Sequence, residues 1–303
     1  MKTKEEILRY FPNNIRRKIE NIIFLESKEN GENKENKEKE KNIINEIEEI
    51  RIRVSKPLIL RTRDEDIVIE HIITKEEIMY IVERICNNSI YAYKNQICEG
   101  FITCFGGHRV GIVGSMVVEN NRIINIKYIS CLNFRIAREV KNCSEKIIDE
   151  ILDIVNNSIF NTIIVAPPGK GKTTILRDLI RKISNGIEEK NFTGLTCGIV
   201  DERGEIAAMY QGIPQNDIGI RTDVIENVSK EKGIEILIRS MAPQVIACDE
   251  IGTKEDVDAI ERAMVSGVKG IFTMHGRTME DVKSNEKIKN MIENKKIENV
   301  IFL

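Results

Sequence analysis

Short apolar runs alternate with helical patterns through the second half of the chain. Four runs have the length of buried strands, at residues 162–166, 197–201, 244–248 and 270–274. Between them, one apolar face recurs at helical spacing over residues 172–184, 231–240 and 255–266. Strands that alternate with helices are typical of a parallel sheet, because each parallel crossover needs a long connection. The pattern predicts an α/β domain over residues 141–303, with helices on both faces of a parallel sheet.

The first half of the chain has a different pattern. Apolar residues recur at helical spacing over residues 7–23, which predicts a short pair of helices. Isoleucine and arginine then alternate over residues 50–53, as expected of a strand with one buried face. A capping box that opens at Thr74 predicts a helix over residues 75–88. Residues 1–140 are therefore predicted to form a smaller α+β domain.

The composition predicts a flexible segment and argues against a nucleic-acid-binding or membrane-spanning protein. Residues 26–41 contain no apolar side chain and predict a charged, flexible insertion. The chain has 46 Lys and Arg against 48 Asp and Glu, so no net positive field draws it onto nucleic acid. Its apolar runs fall far short of the ~20 residues that span a bilayer, and its first residues lack a signal peptide. We therefore predict a cytoplasmic protein without a transmembrane segment of its own.

A glycine-rich segment follows the first strand of the second half. It consists of Ala166, Pro167, Pro168, Gly169, Lys170, Gly171, Lys172, Thr173 and Thr174. In a phosphate-binding loop the backbone N–H groups converge on phosphate oxygens, the lysine reaches the β- and γ-phosphates, and the threonine hydroxyl binds Mg²⁺. The helical pattern that follows places the loop at a helix N-terminus, which favours phosphate. These features predict a P-loop NTPase domain of the RecA or AAA+ kind that binds ATP and Mg²⁺. The alternative is a glycine-rich connection that binds no nucleotide.

Two carboxylates, Asp249 and Glu250, end the apolar run at residues 244–248. In a parallel sheet, the strand ends open onto the same edge as the phosphate loop. We therefore predict that Asp249 holds Mg²⁺, through Thr173 or water, and that Glu250 orients and deprotonates the attacking water. The alternative is an exposed acidic turn.

Two further strand ends carry weaker candidates. His275 ends the run at residues 270–274 and is a candidate sensor of the γ-phosphate or of the water; a structural histidine is the alternative. Arg203 follows the run at residues 197–201 and is a candidate contact to nucleotide or to a neighbouring subunit; a surface salt-bridge cluster is the alternative.

Taken together, these residues resemble the stage III sporulation protein AA family, which is related to the type II/IV secretion and pilus-motor ATPases. The resemblance covers most of the chain and rests on residues 49–53, 106–111, 132–139, 166–177, 200–207 and 249–252. It implies a mother-cell ATPase that works beside membrane proteins of an export or feeding channel towards the forespore. It also implies a homo-oligomeric ring, a hexamer, in the cytoplasm at a membrane complex.

A ring would give arginines of the first half a catalytic role. A neighbouring subunit can complete an ATP site with an arginine finger. Arg109, Arg135 and Arg138 are the candidates, because they lie in the matching segments. Each alone is more often a surface or salt-bridge residue, so the three are predicted only as a group.

The chain departs from the family pattern in two places. The insertion at residues 26–41 is not an expected family feature. The family usually continues past the last apolar strand with a polar, glycine-containing tail, whereas this chain stops after residues 300–303. Truncation after Leu303 would explain this departure, but whether the chain is truncated does not follow from the sequence.

The leading functional prediction is a motor or assembly ATPase of a transport channel. One alternative is a nucleotide-binding scaffold without significant turnover. The other is a nucleic-acid-binding P-loop ATPase, against which the balanced charge argues, so no nucleic-acid partner is expected. The cargo, the ring size and the arginine that acts across the subunit boundary do not follow from the sequence.

Overall fold

The computed structural model describes residues 6–29 and 46–303. The chain divides into two compact units, Met1–Arg138 and Glu139–Leu303. Most of the insertion predicted at residues 26–41 lies outside the described residues. Its first four residues belong to the helix Asn13–Glu29, so the prediction placed the start of the insertion inside a helix. Glutamate and lysine are good helix formers, so a helix can continue there without burying apolar surface.

The first unit is an antiparallel sheet with helices packed on one face. Its helices are α1 (Asn13–Glu29), α2 (Lys75–Ile85) and α3 (Lys94–Cys98). Its strands are β1 (Glu49–Arg53), β2 (Pro57–Arg61), β3 (Asp66–Ile72), β4 (Phe101–Thr103), β5 (Arg109–Glu119) and β6 (Arg122–Arg135). The strand order is β3-β2-β1-β6-β5-β4. Alternate residues such as Ile50 and Ile52 are buried in a core that includes Ile15 and Ile81 of the helices, as expected of a sheet with one covered face.

Helix α2 has the predicted start and an earlier end. The Glu77 N–H donates to the Thr74 side chain at 3.2 Å, and the Thr74 N–H donates to the Glu77 carboxylate at 3.0 Å. The capping box is therefore confirmed. The helix ends at Ile85, because Asn87 and Asn88 adopt left-handed backbone with φ of 49° and 61°.

The second unit is built on a parallel sheet. Its α-helices are α4 (Ile148–Ile151), α5 (Lys172–Asn185), α6 (Lys230–Met241), α7 (Lys254–Val265), α8 (Met279–Lys283) and α9 (Glu286–Glu293). Short strand pairs are β7 (Leu152–Asp153) with β8 (Ser158–Ile159), β10 (Gly186–Ile187) with β11 (Phe192–Thr193), and β13 (Met209–Tyr210) with β14 (Ile213–Pro214). The sheet strands are β9 (Thr162–Ala166), β12 (Cys197–Asp201), β15 (Thr222–Glu226), β16 (Val245–Cys248), β17 (Lys269–His275) and β18 (Asn299–Phe302).

This sheet has the order β15-β12-β16-β17-β9-β18, and every neighbouring pair is parallel. Ile164 and Ile271 face α5 on one side, whereas Ile163 and Phe272 face α6 and α7 on the other. The predicted α/β fold with helices on both faces is therefore confirmed. Because all six strands point the same way, the loops that follow β9, β12, β16 and β17 open at one edge. Within the described ranges, no helix is both long enough and apolar enough to cross a membrane.

Candidate nucleotide-binding site

The phosphate loop joins β9 to α5. Gly169 and Gly171 have φ of 74° and 80°, a conformation that costs any other residue backbone strain. A Cβ at either position would meet no described atom within 4 Å, so backbone conformation rather than crowding calls for glycine. Gly171 is also the N-cap of α5, and no side chain in the described part of the chain caps that helix. Its first N–H groups are therefore available to an anion.

The remaining loop residues differ in exposure. Pro168 and Lys170 are exposed, and Thr174 is half-buried in the first turn of α5. Lys172 is buried instead. Its Nζ donates to the carbonyls of Ala166 at 2.8 Å and Pro167 at 3.0 Å.

Lys172 also contacts His275. Nζ lies 3.0 Å from Nδ1 of the imidazole. An ammonium group only donates hydrogen bonds, so Nδ1 is the acceptor and the ring proton lies on Nε2. Burial lowers the pKa of Lys172, and the nearby charges of Asp249 and Glu250 oppose that shift. All three direct acceptors of the ammonium are neutral, so a phosphate would be its first anionic partner in direct contact.

The structure brings the loop and the acidic strand end together. The Thr173 hydroxyl donates a hydrogen bond to Oδ2 of Asp249, although the two residues lie 76 positions apart. The other oxygen, Oδ1, accepts from the Thr273 hydroxyl and from the Glu250 N–H, the latter at 3.1 Å. Asp249 is thus held by a hydroxyl of α5, a hydroxyl of β17 and the N–H of the residue that follows it.

These groups fit a magnesium ion. Mg²⁺ in nucleotide sites takes one or two protein oxygens and completes its shell with phosphate and water. A hydroxyl from Thr173 and a carboxylate from Asp249, already in contact, are such a donor set. Both would hold the ion, which would neutralise phosphate charge when bound.

Glu250 has two partners in the site. Oε1 accepts from His275 Nε2 at 2.9 Å, and Oε2 forms an ion pair with Arg203 Nη1. Its backbone has φ of 53°, a strained conformation for a residue other than glycine and one that recurs at functional sites. Lys172, His275, Glu250 and Arg203 therefore form one chain of contacts from the phosphate loop to the surface.

The loop that carries Arg203 is held from two sides. Asp201 is buried at the end of β12 and accepts from the N–H groups of residues 205–207 at 2.8 to 3.1 Å. Burial raises the pKa of Asp201, although these hydrogen bonds oppose the shift. Arg177 of α5 donates to two carbonyls of the same loop, each at 2.7 Å. The backbone of residues 205–207, just after Arg203, is thereby held in place.

Sequence reasoning missed Thr273, Asp201 and Arg177. Thr273 lies two residues before His275, and alternate residues of a strand share a face, so this spacing was an available signal. Asp201 ends a strand whose five residues are all buried. A buried carboxylate requires hydrogen-bond partners, so its position was a signal of a structural role. Arg177 carries no comparable signal.

The predicted arginine fingers lie in the first unit. Arg109 stacks on the ring of Phe101, 3.5 Å from its centroid. Arg135 is exposed at the end of β6, in register with Glu49. Arg138 donates from Nη2 to the carbonyl of Ile47 at 3.0 Å. Their action on a neighbouring subunit stays a prediction.

The sheet, the glycine-rich loop at a helix N-terminus and the acidic strand end define a P-loop NTPase fold. Solved structures of a pilus retraction motor and of a further ATPase share this fold. The pilus retraction motor PilT, solved with ADP, superposes with a TM-score of 0.55 at 15% identity, over 81% of this chain and 67% of that one. The ATPase DotB of Legionella pneumophila superposes with a TM-score of 0.52 at 16% identity, over 82% and 69%.

Sequence relatives identify the family. Stage III sporulation protein AA of Bacillus subtilis (strain 168) is 38% identical over 258 residues, which cover 85% of this chain and 82% of the relative. Protein SEEDLING PLASTID DEVELOPMENT 1 of Arabidopsis thaliana is 27% identical over 187 residues, 61% of this chain and 24% of the relative. The family described as "Sporulation stage III, protein AA" matches residues 13–303. The chain therefore belongs to the stage III sporulation protein AA family.

Proposed function

We propose that this chain is a Mg²⁺-dependent ATPase that acts as a motor or assembly ATPase of a sporulation channel between mother cell and forespore. The observation that carries the proposal is the contact between Thr173 and Asp249, with Glu250 beside it. These are the groups that a triphosphate, its metal ion and an attacking water require. Family membership supports the link to sporulation, and the fold shared with a pilus retraction motor supports a mechanical role.

Each residue of the site has a part in this proposal. The N–H groups at the start of α5 and the Lys172 ammonium bind the phosphates. Thr173 and Asp249 hold Mg²⁺. Glu250 accepts a proton from the attacking water, and His275 Nε2 orients its carboxylate. Positioning and charge stabilisation by such groups supply most of the catalysis of phosphoryl transfer.

We extend the proposal to a homo-oligomeric ring, a hexamer, in the cytoplasm at a membrane complex. Arg109, Arg135 or Arg138 would complete the ATP site of the neighbouring subunit. Mixing variants tests this arrangement. A subunit with the Lys172→Ala change and a subunit with one arginine changed to alanine are each expected to be inactive, whereas a mixed ring regains activity if that arginine acts on its neighbour. Mixed rings that stay inactive for all three arginines would contradict the extension.

Nucleotide binding and phosphate release test the ATPase itself. Lys172→Ala is expected to abolish ATP binding, and Glu250→Gln to permit binding but block turnover. Glu235→Gln is the control, because Glu235 lies on the surface in an ion pair with Arg239. Turnover by Glu250→Gln at the rate of the parent chain would show that Glu250 is not the base. ATP binding without phosphate release by the parent, with candidate membrane partners present, would favour a scaffold.

A further inference from the structure

Two cations beside the phosphate loop, Lys172 and Arg203, are engaged by groups of the protein. Lys172 binds two loop carbonyls and His275. Arg203 binds the carboxylate of Glu250, whose other oxygen is occupied by His275. Lys172 must exchange these neutral acceptors for phosphate if the loop binds a nucleotide. Arg203, at the other end of the same chain of contacts, occupies an oxygen of Glu250 that would otherwise meet the attacking water.

Arg203 is able to leave Glu250 without moving the backbone. Its side chain is 63% exposed, whereas that of Glu250 is 24% exposed. Asp201 and Arg177 hold residues 205–207, which follow it in the same loop. Ion pairs with an exposed partner contribute little to stability, so exchange of this pair for another anion costs little.

A terminal phosphate is a better partner for this guanidinium than a carboxylate. It carries more negative charge and offers several oxygens in the geometry that arginine binds with two N–H groups. If Glu250 is the base, it must lie beside the attacking water and the γ-phosphate, which places that phosphate next to the present position of Arg203.

We propose that Arg203 is a γ-phosphate ligand from the same subunit, which pairs with Glu250 until a triphosphate is bound. The inference rests on the proposed function. ADP has no γ-phosphate and leaves Arg203 on Glu250, so this residue distinguishes ATP from ADP. Binding of a triphosphate draws Arg203 away and frees Oε2 of Glu250 for the water.

Equilibrium titration with Mg²⁺ and either ADP or a non-hydrolysable ATP analogue tests this role. Arg203→Ala is expected to weaken binding of the analogue about tenfold or more, since a charge-assisted hydrogen bond is lost. Binding of ADP should stay within about twofold, because ADP does not meet this residue. Arg203→Lys should recover part of the loss. The control is Arg262→Ala, because Arg262 is also 63% exposed and pairs with a surface glutamate, Glu231.

A double-mutant cycle adds a second readout. Glu250→Gln removes the charge that holds Arg203. The variant should therefore bind the ATP analogue several-fold more tightly than the parent does, a gain that corresponds to about the strength of one exposed ion pair. This gain should disappear when Arg203→Ala is added. A purely structural role of Arg203 would not produce such a dependence.

The outcomes separate this inference from the proposed function. Equal losses for ADP and the analogue, no loss for either, or tighter binding of the analogue by Arg203→Ala would overturn the role of Arg203 and leave the ATPase proposal standing. A parent chain that binds neither nucleotide, or a Lys172→Ala variant that binds both like the parent, would overturn the ATPase proposal and this inference with it. Thermal melts of each variant confirm that the fold is retained.

Discussion

Replacing Asp178 by asparagine is expected to destabilise the second unit by roughly 2.5 kcal/mol. Asp178 lies on α5, and its buried carboxylate accepts from the Ser144 hydroxyl at 2.6 Å and from the Ser144 and Asn142 N–H groups at 3.0 Å each. It also pairs with Arg181 at 2.6 Å. Asparagine keeps the shape of the side chain but turns an NH₂ group towards these donors and leaves the Arg181 charge unpaired.

The magnitude follows from the pKa of Asp178. Burial alone would raise this pKa, but the hydrogen bonds from Ser144, Arg181 and Asn142 prevail and lower it from 3.8 to about 2. At 1.36 kcal/mol per pKa unit, this shift corresponds to roughly 2.5 kcal/mol. For a unit of this size, Glu139–Leu303, the midpoint of thermal unfolding changes by about 2–4 °C per kcal/mol. The variant should therefore melt about 5–10 °C lower.

Differential scanning calorimetry at neutral pH and in acid measures this loss. Because the folded-state pKa lies below the unfolded value, the stabilisation is complete above about pH 4 and disappears as the pH falls to about 2. The melting points of parent and variant should converge over that window. Asp149→Asn is the control, because Asp149 is 66% exposed in an ion pair with Lys190 and should change the midpoint by about 1 °C or less. A midpoint of Asp178→Asn equal to that of the parent, or a difference that persists unchanged at pH 2, would refute the reasoning.

Three further changes have expected outcomes. Gly171→Ala places a side chain at φ of 80°, so nucleotide titration should show weaker binding; parental affinity would count against the loop conformation. Thr253→Ala removes the hydroxyl that accepts from the Asp256 N–H at 3.1 Å, so calorimetry should show a loss of about 1 kcal/mol, and an unchanged midpoint would contradict the cap. EDTA should stop phosphate release and leave the melting point of the nucleotide-free protein unchanged; turnover without a divalent ion would argue against the roles of Thr173 and Asp249.

The sheet of the second unit was predictable where strands are buried on both faces. Strand β12 has the predicted bounds, Cys197–Asp201, because all five of its residues are buried in a nearly continuous apolar run. Strand β15 was not predicted, since its residues Thr222–Glu226 are all half-buried at the sheet edge and mix polar with apolar side chains. Strand β3 was not predicted for the same reason, because Ile69 is the only one of its residues that is fully buried. The hydrophobic pattern of a strand reflects how its faces are buried, so partly exposed edge strands are difficult to recognise in the sequence.

The candidate site also contains one contact that the sequence predicted and one that it did not. The approach of Asp249 to Thr173 followed from a general rule, that parallel strands present their carboxyl ends at one edge. The pairing of Arg203 with Glu250 did not, because it depends on an irregular loop and on the left-handed backbone of Glu250. Such positions are set by tertiary contacts, which hydrophobic patterns do not encode.

The most direct test of the proposed ATP site is a structure of the protein with Mg²⁺ and a non-hydrolysable ATP analogue. We expect the ion to be held by the Thr173 hydroxyl and by Asp249, directly or through water, with the terminal phosphate beside Glu250. A nucleotide bound elsewhere, or bound in the loop with Asp249 and Glu250 turned away from its phosphates, would contradict this expectation.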